Sequence, residues 1–284
     1  MRPLCIDLDG TLIRTDVLFE SAALLLKRKP WLACALPVWL MQGKAHMKRE
    51  ISNRVTLNVA LLPYNQEFVD WVSAQHEQGR TVVLATASDQ LIADAIAMHL
   101  PIFDFIIGSD GHENQKGSSK LGTLAARYGR EFAYAGNSSS DLAIWRGCAE
   151  AIVVNASSST AKAARALDTV TMEFPALPLT YAMIRQVLRV RVCQMFLVAS
   201  ILPTMLTQNP RWAAGALAIC CLVSGLSLTR DLVSLEQDRA NRLRATRPIA
   251  SGAFPIAIAF FLAPLLVAVG LFGILAYIAL RKTG

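Results

Sequence analysis

The sequence predicts a parallel α/β domain with a helical cap, followed by an α-helical transmembrane segment of about three helices. Three observations carry that prediction. In residues 1–175, short apolar runs ending in carboxylates or hydroxyls alternate with helical patterns. Beyond them lie long apolar runs almost free of charge. The formal charge of +7 belongs wholly to the second part: residues 181–284 hold eleven Lys/Arg against three acids, leaving 17 of the 28 bases and 18 of the 21 acids to the first 180. At 54% hydrophobic and 17% charged, with mean hydropathy +0.39, the chain is too apolar for an ordinary soluble protein and too charged for a pure membrane bundle.

Taken in order, "PLCIDLDGTL" (residues 3–12) reads as a short buried strand ending in a turn, and Arg80–Ser88 and Arg130–Asp141 read the same way. Helical patterns over Gln66–Gln78, Gln90–His99 and Lys120–Tyr128 separate them, so the strands should be parallel, with functional loops at their C-terminal ends. Residues 18–64 interrupt the alternation with helical, strongly apolar sequence. Trp31–Met41 is too short to span a bilayer, which makes this insertion a cap that can touch lipid.

Cys193–Leu206, Trp212–Leu228 and Phe254–Leu280 are the candidate spans, within a segment covering residues 180–284. Pro203 and Pro264 fall inside apolar runs, where membrane helices tolerate them. No secretory signal opens the chain, so the N-terminal domain is expected in the cytoplasm and the spans in the inner membrane. The second span then returns Arg239, Arg242, Arg244 and Arg247 to the cytoplasmic side, as positive-inside topology requires. The six cysteines lack CxxC spacing and read as small buried hydrophobes.

Asp7 and Asp9 place two carboxylates on one side of an extended backbone at the end of an apolar strand. Later strands end at Thr86 or Ser88 and at Asp141, with Lys116 and Lys120 between them. Through "DLDGTL", "LATAS", "KGSSK" and "GNSSSD", in that order, residues 1–175 resemble the haloacid dehalogenase (HAD) superfamily of phosphohydrolases. The resemblance implies a HAD-like Rossmannoid fold. Asp7 would be the nucleophile and Asp9 the general acid and base. Thr86 and a lysine, Lys120 in preference to Lys116, would hold the phosphoryl oxygens, with Thr11 beside them. Mg²⁺ would sit among Asp7, the Asp9 carbonyl, Asn137 and Asp141, Asn137 standing where many members carry Asp.

The stretch "TRDLVSLEQDRANRLRATRPIASG" (229–252) resembles the first Asp-rich motif of the UbiA-type intramembrane prenyltransferases. Arg230 stands where that family has Asn, and Ser234 where it has a second Asp. The resemblance implies Mg²⁺ held by Asp231 and Asp238, with Glu236, Arg239 and Arg247 taking up a diphosphate. The pairing of the two halves is similar to polyprenyl-phosphate phosphoribosyltransferases, and more distantly to rhizobial nodulation proteins of the NoeC type. It implies polyprenyl phosphate and phosphoribosyl diphosphate as substrates, with no nucleic acid, and a lipid-linked pentose, arabinose included, for glycan or Nod-factor decoration. The helical half is short for that family, so self-association or a membrane-protein partner is expected. Two simpler expectations stand beside it: a membrane-tethered phosphatase, and a non-catalytic subunit completing a partner's bundle.

Overall fold

The computed structural model describes residues 1–109, 117–207 and 211–282. The chain divides into two compact units, Met1–Leu177 and Pro178–Gly284.

The first unit is built on a six-stranded parallel sheet in the order β3-β2-β1-β4-β5-β6. Its strands are β1 (Leu4–Ile6), β2 (Val82–Asp89), β3 (Phe105–Ser109), β4 (Ala133–Gly136), β5 (Glu150–Val154) and β6 (Val170–Phe174). Both faces are covered, so the central strands carry buried apolar side chains at successive positions rather than at alternate ones. Ile6, Leu84, Ala135 and Ile152 pack on one face, Cys5, Val83, Tyr134 and Val153 on the other. The strand order reverses between β1 and β4, and such a switch point opens a crevice beyond the C-terminal strand ends. This is a doubly wound, Rossmann-like layout.

Between β1 and β2 lies the helical insertion: α1 (Val17–Arg28), a 3₁₀ turn (Pro30–Cys34), α2 (Ala35–Met41), α3 (Lys44–Ser52) and a second 3₁₀ turn (Val59–Leu61). Asp16 caps α1 by accepting from the Leu18 N–H. The two ends of the insertion are clasped together. Arg14 N donates to Pro63 O (2.8 Å), Asn65 N to Leu12 O (2.9 Å), and an Arg14 Nη to Asn65 Oδ1 (3.0 Å). The crossovers are α4 (Gln66–Glu77), α5 (Gln90–His99), α6 (Ser118–Tyr128), α7 (Leu142–Gly147) and α8 (Ser158–Arg165).

The strand expected over Arg80–Ser88 begins two residues later, and that expected over Arg130–Asp141 is only four residues long. Its tail is instead a 3₁₀ turn at Ser139–Asp141, closed by a reciprocal Ser138–Asp141 capping box. Strands β3, β5 and β6 and helices α7 and α8 are additions to the sequence reading. Cys5 and Cys148 are buried as expected, but Cys34 is exposed because no side chain of its turn packs inward.

The second unit contains α9 (Tyr181–Val187), α10 (Val190–Thr207), α11 (Arg211–Val233), α12 (Leu235–Ala240) and α13 (Ile256–Lys282). Val190–Thr207, Arg211–Val233 and Ile256–Ala279 are long and apolar enough to cross a membrane, which fits an α-helical transmembrane segment. At 1.5 Å per residue, even the 18-residue α10 reaches about 27 Å. Helices α11 and α13 approach closely through glycine: a Cβ on Gly270 would stand 2.6 Å from Leu222 N, and one on Gly225 2.7 Å from Val267 N. Pro203 and Pro264 lie within α10 and α13. The second span runs past its expected end to Val233, so Asp231 sits in the last turn of a helix rather than in a loop. Arg189, between α9 and α10, takes a positive φ of 53° and points back to the same turn, its Nε donating to Ser227 Oγ at 2.7 Å.

Candidate functional site

Asp7 and Asp9 leave the end of β1 at the switch point, where Asp7 N donates to Ala135 O of β4 (2.9 Å). Lys120, in the first turn of α6, is almost fully buried. Its Nζ donates to Asp7 Oδ1 at 2.7 Å and to the Tyr134 hydroxyl at 2.9 Å. Tyr134 in turn donates to Asp141 Oδ1 at 3.2 Å. The other oxygen of Asp141 accepts from Asn137 N, Ser138 N and Ser138 Oγ at 2.9–3.1 Å. This network fixes both carboxylates around one ammonium.

Asp9 is held differently. Its Oδ1 accepts from Val17 N (2.8 Å), at the start of the cap, and its Oδ2 from Ser88 Oγ (2.5 Å), at the end of β2. Thr86 is fully buried and its hydroxyl accepts from Ser88 N at 3.0 Å, so Ser88 rather than Thr86 touches Asp9. Thr11 is buried too, and its hydroxyl has no hydrogen-bond partner. Gly10, at φ 74°, lies under the Asn137 side chain: a Cβ there would stand 2.0 Å from Asn137 Nδ2. Lys116 lies outside the described residues.

Burial raises the Asp7 carboxyl to about 6, with Lys120 opposing and Asp141 reinforcing the shift. Burial, helped by the neighbouring Asp16 carboxylate, raises Asp9 to about 7, against the hydrogen bonds from Ser88 and Val17. At neutral pH Asp9 therefore carries a proton in a large share of molecules, which suits a general acid. Tyr134 stays a neutral phenol, pushed well up chiefly by burial.

Among the described residues, no group of three or more His, Cys, Asp or Glu is arranged to hold a metal ion. Asp7, Asp141, the Asn137 amide oxygen and the Asp9 carbonyl are nonetheless all hard oxygen donors, and the Asp141 carboxylate adds to the cost of ionising Asp7. Two carboxylates completed by substrate oxygens and water are an ordinary Mg²⁺ environment, so these residues fit that ion.

Sequence reasoning missed Tyr134, which inside an apolar strand reads as core, and Lys48 of α3. Lys48 Nζ donates to Ala87 O (2.5 Å), and the adjacent Arg49 pairs with the buried Asp89 (2.8 Å). These contacts join the cap to the end of β2.

The second unit gathers a separate charged cluster. Asp231 is paired with Arg189 (3.2 Å) and Arg230 (2.9 Å), with Arg247 at 3.8 Å. Asp238, almost fully buried, accepts from Arg247 (2.8 Å) and Ser234 (3.2 Å) at one oxygen. Its other oxygen has no hydrogen-bond partner, and Arg244 stands 3.8 Å away. Four guanidinium groups thus surround two carboxylates beside a small cleft lined by Gln186, Pro248 and Ile249. Glu236 does not line that cleft, and Arg239 donates instead to Ala250 O at 2.7 Å. Both carboxylates are already neutralised by arginine. What the cluster offers is surplus positive charge.

No family model matches the chain. An uncharacterized protein of Sinorhizobium fredii (strain NBRC 101917 / NGR234), y4nM, is 30% identical over 282 residues, which is 95% of this chain and 54% of that protein. The chain therefore spans about half the length of that relative. Among solved structures, a protein of unknown function from Bordetella pertussis Tohama I matches 58% of this chain and 95% of its own, at 16% identity and TM-score 0.44. A probable phosphoserine phosphatase from Vibrio cholerae matches 60% of each chain, at 16% identity and TM-score 0.42.

Proposed function

We propose that this chain is a membrane-anchored phosphohydrolase that removes a phosphoryl group from a phosphomonoester. The observation that supports this most directly is the Lys120–Asp7 contact at a switch point that also holds Asp9, Ser88 and Asp141. An Asp7 oxygen attacks phosphorus while the ester P–O bond breaks, and Asp9 gives its proton to the leaving oxygen. Asp9, now ionised, takes a proton from water, whose oxygen attacks phosphorus and releases phosphate and free Asp7. Lys120 and the Ser88–Thr86 turn stabilise the charge spread over the phosphoryl oxygens. A Mg²⁺ held by Asp7, Asn137, Asp141 and the Asp9 carbonyl would supply further neutralisation of that charge. The test is phosphate release from p-nitrophenyl phosphate by the full chain with Mg²⁺. Release that disappears in Asp7→Asn supports the reading, and equal release by that variant would sink it.

A second reading is favoured by the arginine excess around Asp231 and Asp238. There the helical unit takes an anionic, lipid-linked substrate: it transfers phosphoribose from phosphoribosyl diphosphate to polyprenyl phosphate with release of diphosphate, and the first unit then removes the 5-phosphate by hydrolysis. Such a product would supply a pentose, arabinose among the options, for glycan or Nod-factor decoration. A homo-oligomer or a partner membrane protein would complete the bundle. Positive-inside topology would place the arginines and the first unit on the cytoplasmic side of an inner membrane. Membranes incubated with Mg²⁺, polyprenyl phosphate and labelled phosphoribosyl diphosphate would put label into lipid, dependent on Asp231. Unlabelled lipid would leave the tethered phosphohydrolase alone.

A further inference from the structure

The cap carries a surface that phosphoryl chemistry does not use. From Pro30 to Gly43 the chain has no charged residue, and between Pro30 and Met41 no side chain is buried. Trp31 is 69% and Met41 88% exposed, and Val38 and Leu40 are about half exposed. The rest of the cap does pack: α1 buries Leu24 and Leu25, and α3 buries Ile51. The exposure is therefore specific to the one turn and α2. A contiguous apolar patch of this kind marks an interaction surface.

The charges on either side indicate what it meets. Lys27, Arg28 and Lys29 precede the patch and Lys44 follows it. Between Glu20 and Glu50 there is no acidic residue. A short uncharged stretch with an exposed tryptophan, bracketed by bases, has the amphipathic chemistry of a segment that lies in the interface of an anionic bilayer. Twelve helical residues reach about 18 Å, too little to span the hydrocarbon core. The three apolar helices of the same chain keep the cap within reach of such a bilayer by covalent linkage.

We propose that the Pro30–Met41 stretch seats its apolar side chains in the headgroup region of an anionic membrane, with the flanking lysines and arginine against lipid phosphates. This inference is independent of the phosphohydrolase reading. Because Lys48 and Arg49 of the neighbouring α3 contact the end of β2, the segment that meets lipid is coupled to the strand that supplies Ser88.

The test uses tryptophan emission of the full chain in phosphatidylcholine–phosphatidylglycerol vesicles doped with a shallow nitroxide-labelled phosphatidylcholine. Trp31 is one of five emitters, and Trp145 is buried in the α/β core. If Trp31 sits among headgroups, Trp31→Phe removes a quenched emitter and the quenchable fraction of the emission falls. The Lys27→Glu, Lys29→Glu double variant, which retains Trp31, lowers that fraction as well. If Trp31 faces water, a second copy or a protein partner, Trp31→Phe removes an unquenched emitter and the fraction rises. An unchanged or raised fraction overturns the proposal, and neither outcome depends on catalytic activity.

Discussion

Lys120 Nζ lies 2.7 Å from Asp7 Oδ1, although the two residues are separated by 113 positions. The contact exists because α6 starts beside β1, and it leaves Lys120 with a second bond to Tyr134 and almost no exposure. Under the phosphohydrolase reading, a buried ammonium so placed faces the charge that gathers as phosphorus is attacked. Lys120→Met should lower kcat for p-nitrophenyl phosphate by about 10²–10³, the usual loss for one electrostatic donor. Tyr134→Phe removes only the link between Lys120 and Asp141 and should cost far less. Steady-state kinetics of the two variants, compared with wild type, measure both.

The raised carboxyls also make stability depend on pH. Asp7 and Asp9 move from 3.8 to about 6 and about 7, so between about pH 4 and 7 the folded chain holds more protons than the unfolded one. Their contribution is complete below the unfolded value and is lost as pH rises through 6 and 7. With a chelator present, thermal unfolding should come at a lower temperature at pH 8 than at pH 5. Asp9→Asn should flatten the difference. Mg²⁺ should recover stability at pH 8, since an ion bound only by the folded state adds stability by mass action.

How much of this was legible in sequence can be argued from single residues. Asp7, Asp9 and Asp141 stand out because a carboxylate at the end of an apolar strand has no packing role. Edge strands β3 and β6 lack that contrast, since most of their side chains are only partly buried or exposed, and a run such as "VTMEF" offers no period. The helical extension to Asp231 was hidden for another reason. An acid near the end of a span reads as a loop until a partner is known, and that partner, Arg189, comes from the turn between α9 and α10. Lys48 could be tied to Ala87 only once the sheet order was in hand.

The arginine cluster predicts separate behaviour for the two units. Asp238→Ala leaves Arg247 without its 2.8 Å partner and should destabilise the helical unit by about 2 kcal/mol. Under the tethered reading, Asp231→Asn leaves phosphate release from a soluble phosphomonoester unchanged. Unfolding in detergent reports the first effect and a phosphate assay the second.

The glycine contacts between α11 and α13 give a third measurement. In Gly270→Ala the new methyl meets the Leu222 backbone at 2.6 Å, where no side-chain rotation relieves it. The helices must part, at a cost of about 1–3 kcal/mol. A lower midpoint in thermal unfolding of the detergent-solubilised chain would show it, whereas Gly122→Ala, with open space around it inside α6, should leave the midpoint unchanged or raise it.

The clasp formed by Leu12, Arg14, Pro63 and Asn65 bears on how the cap could be exchanged. Because both ends of the excursion are already bonded to each other, the insertion leaves the sheet through a closed stem, and the entropy of closing it grows slowly with the length of chain beyond. The cap is therefore a graft site: a longer or shorter insertion on the same stem would leave β1 and β2 in register while changing what covers the carboxylates. Such an exchange must rebuild the donor to Asp9 now supplied by Val17 and replace the Lys48 and Arg49 contacts to the end of β2.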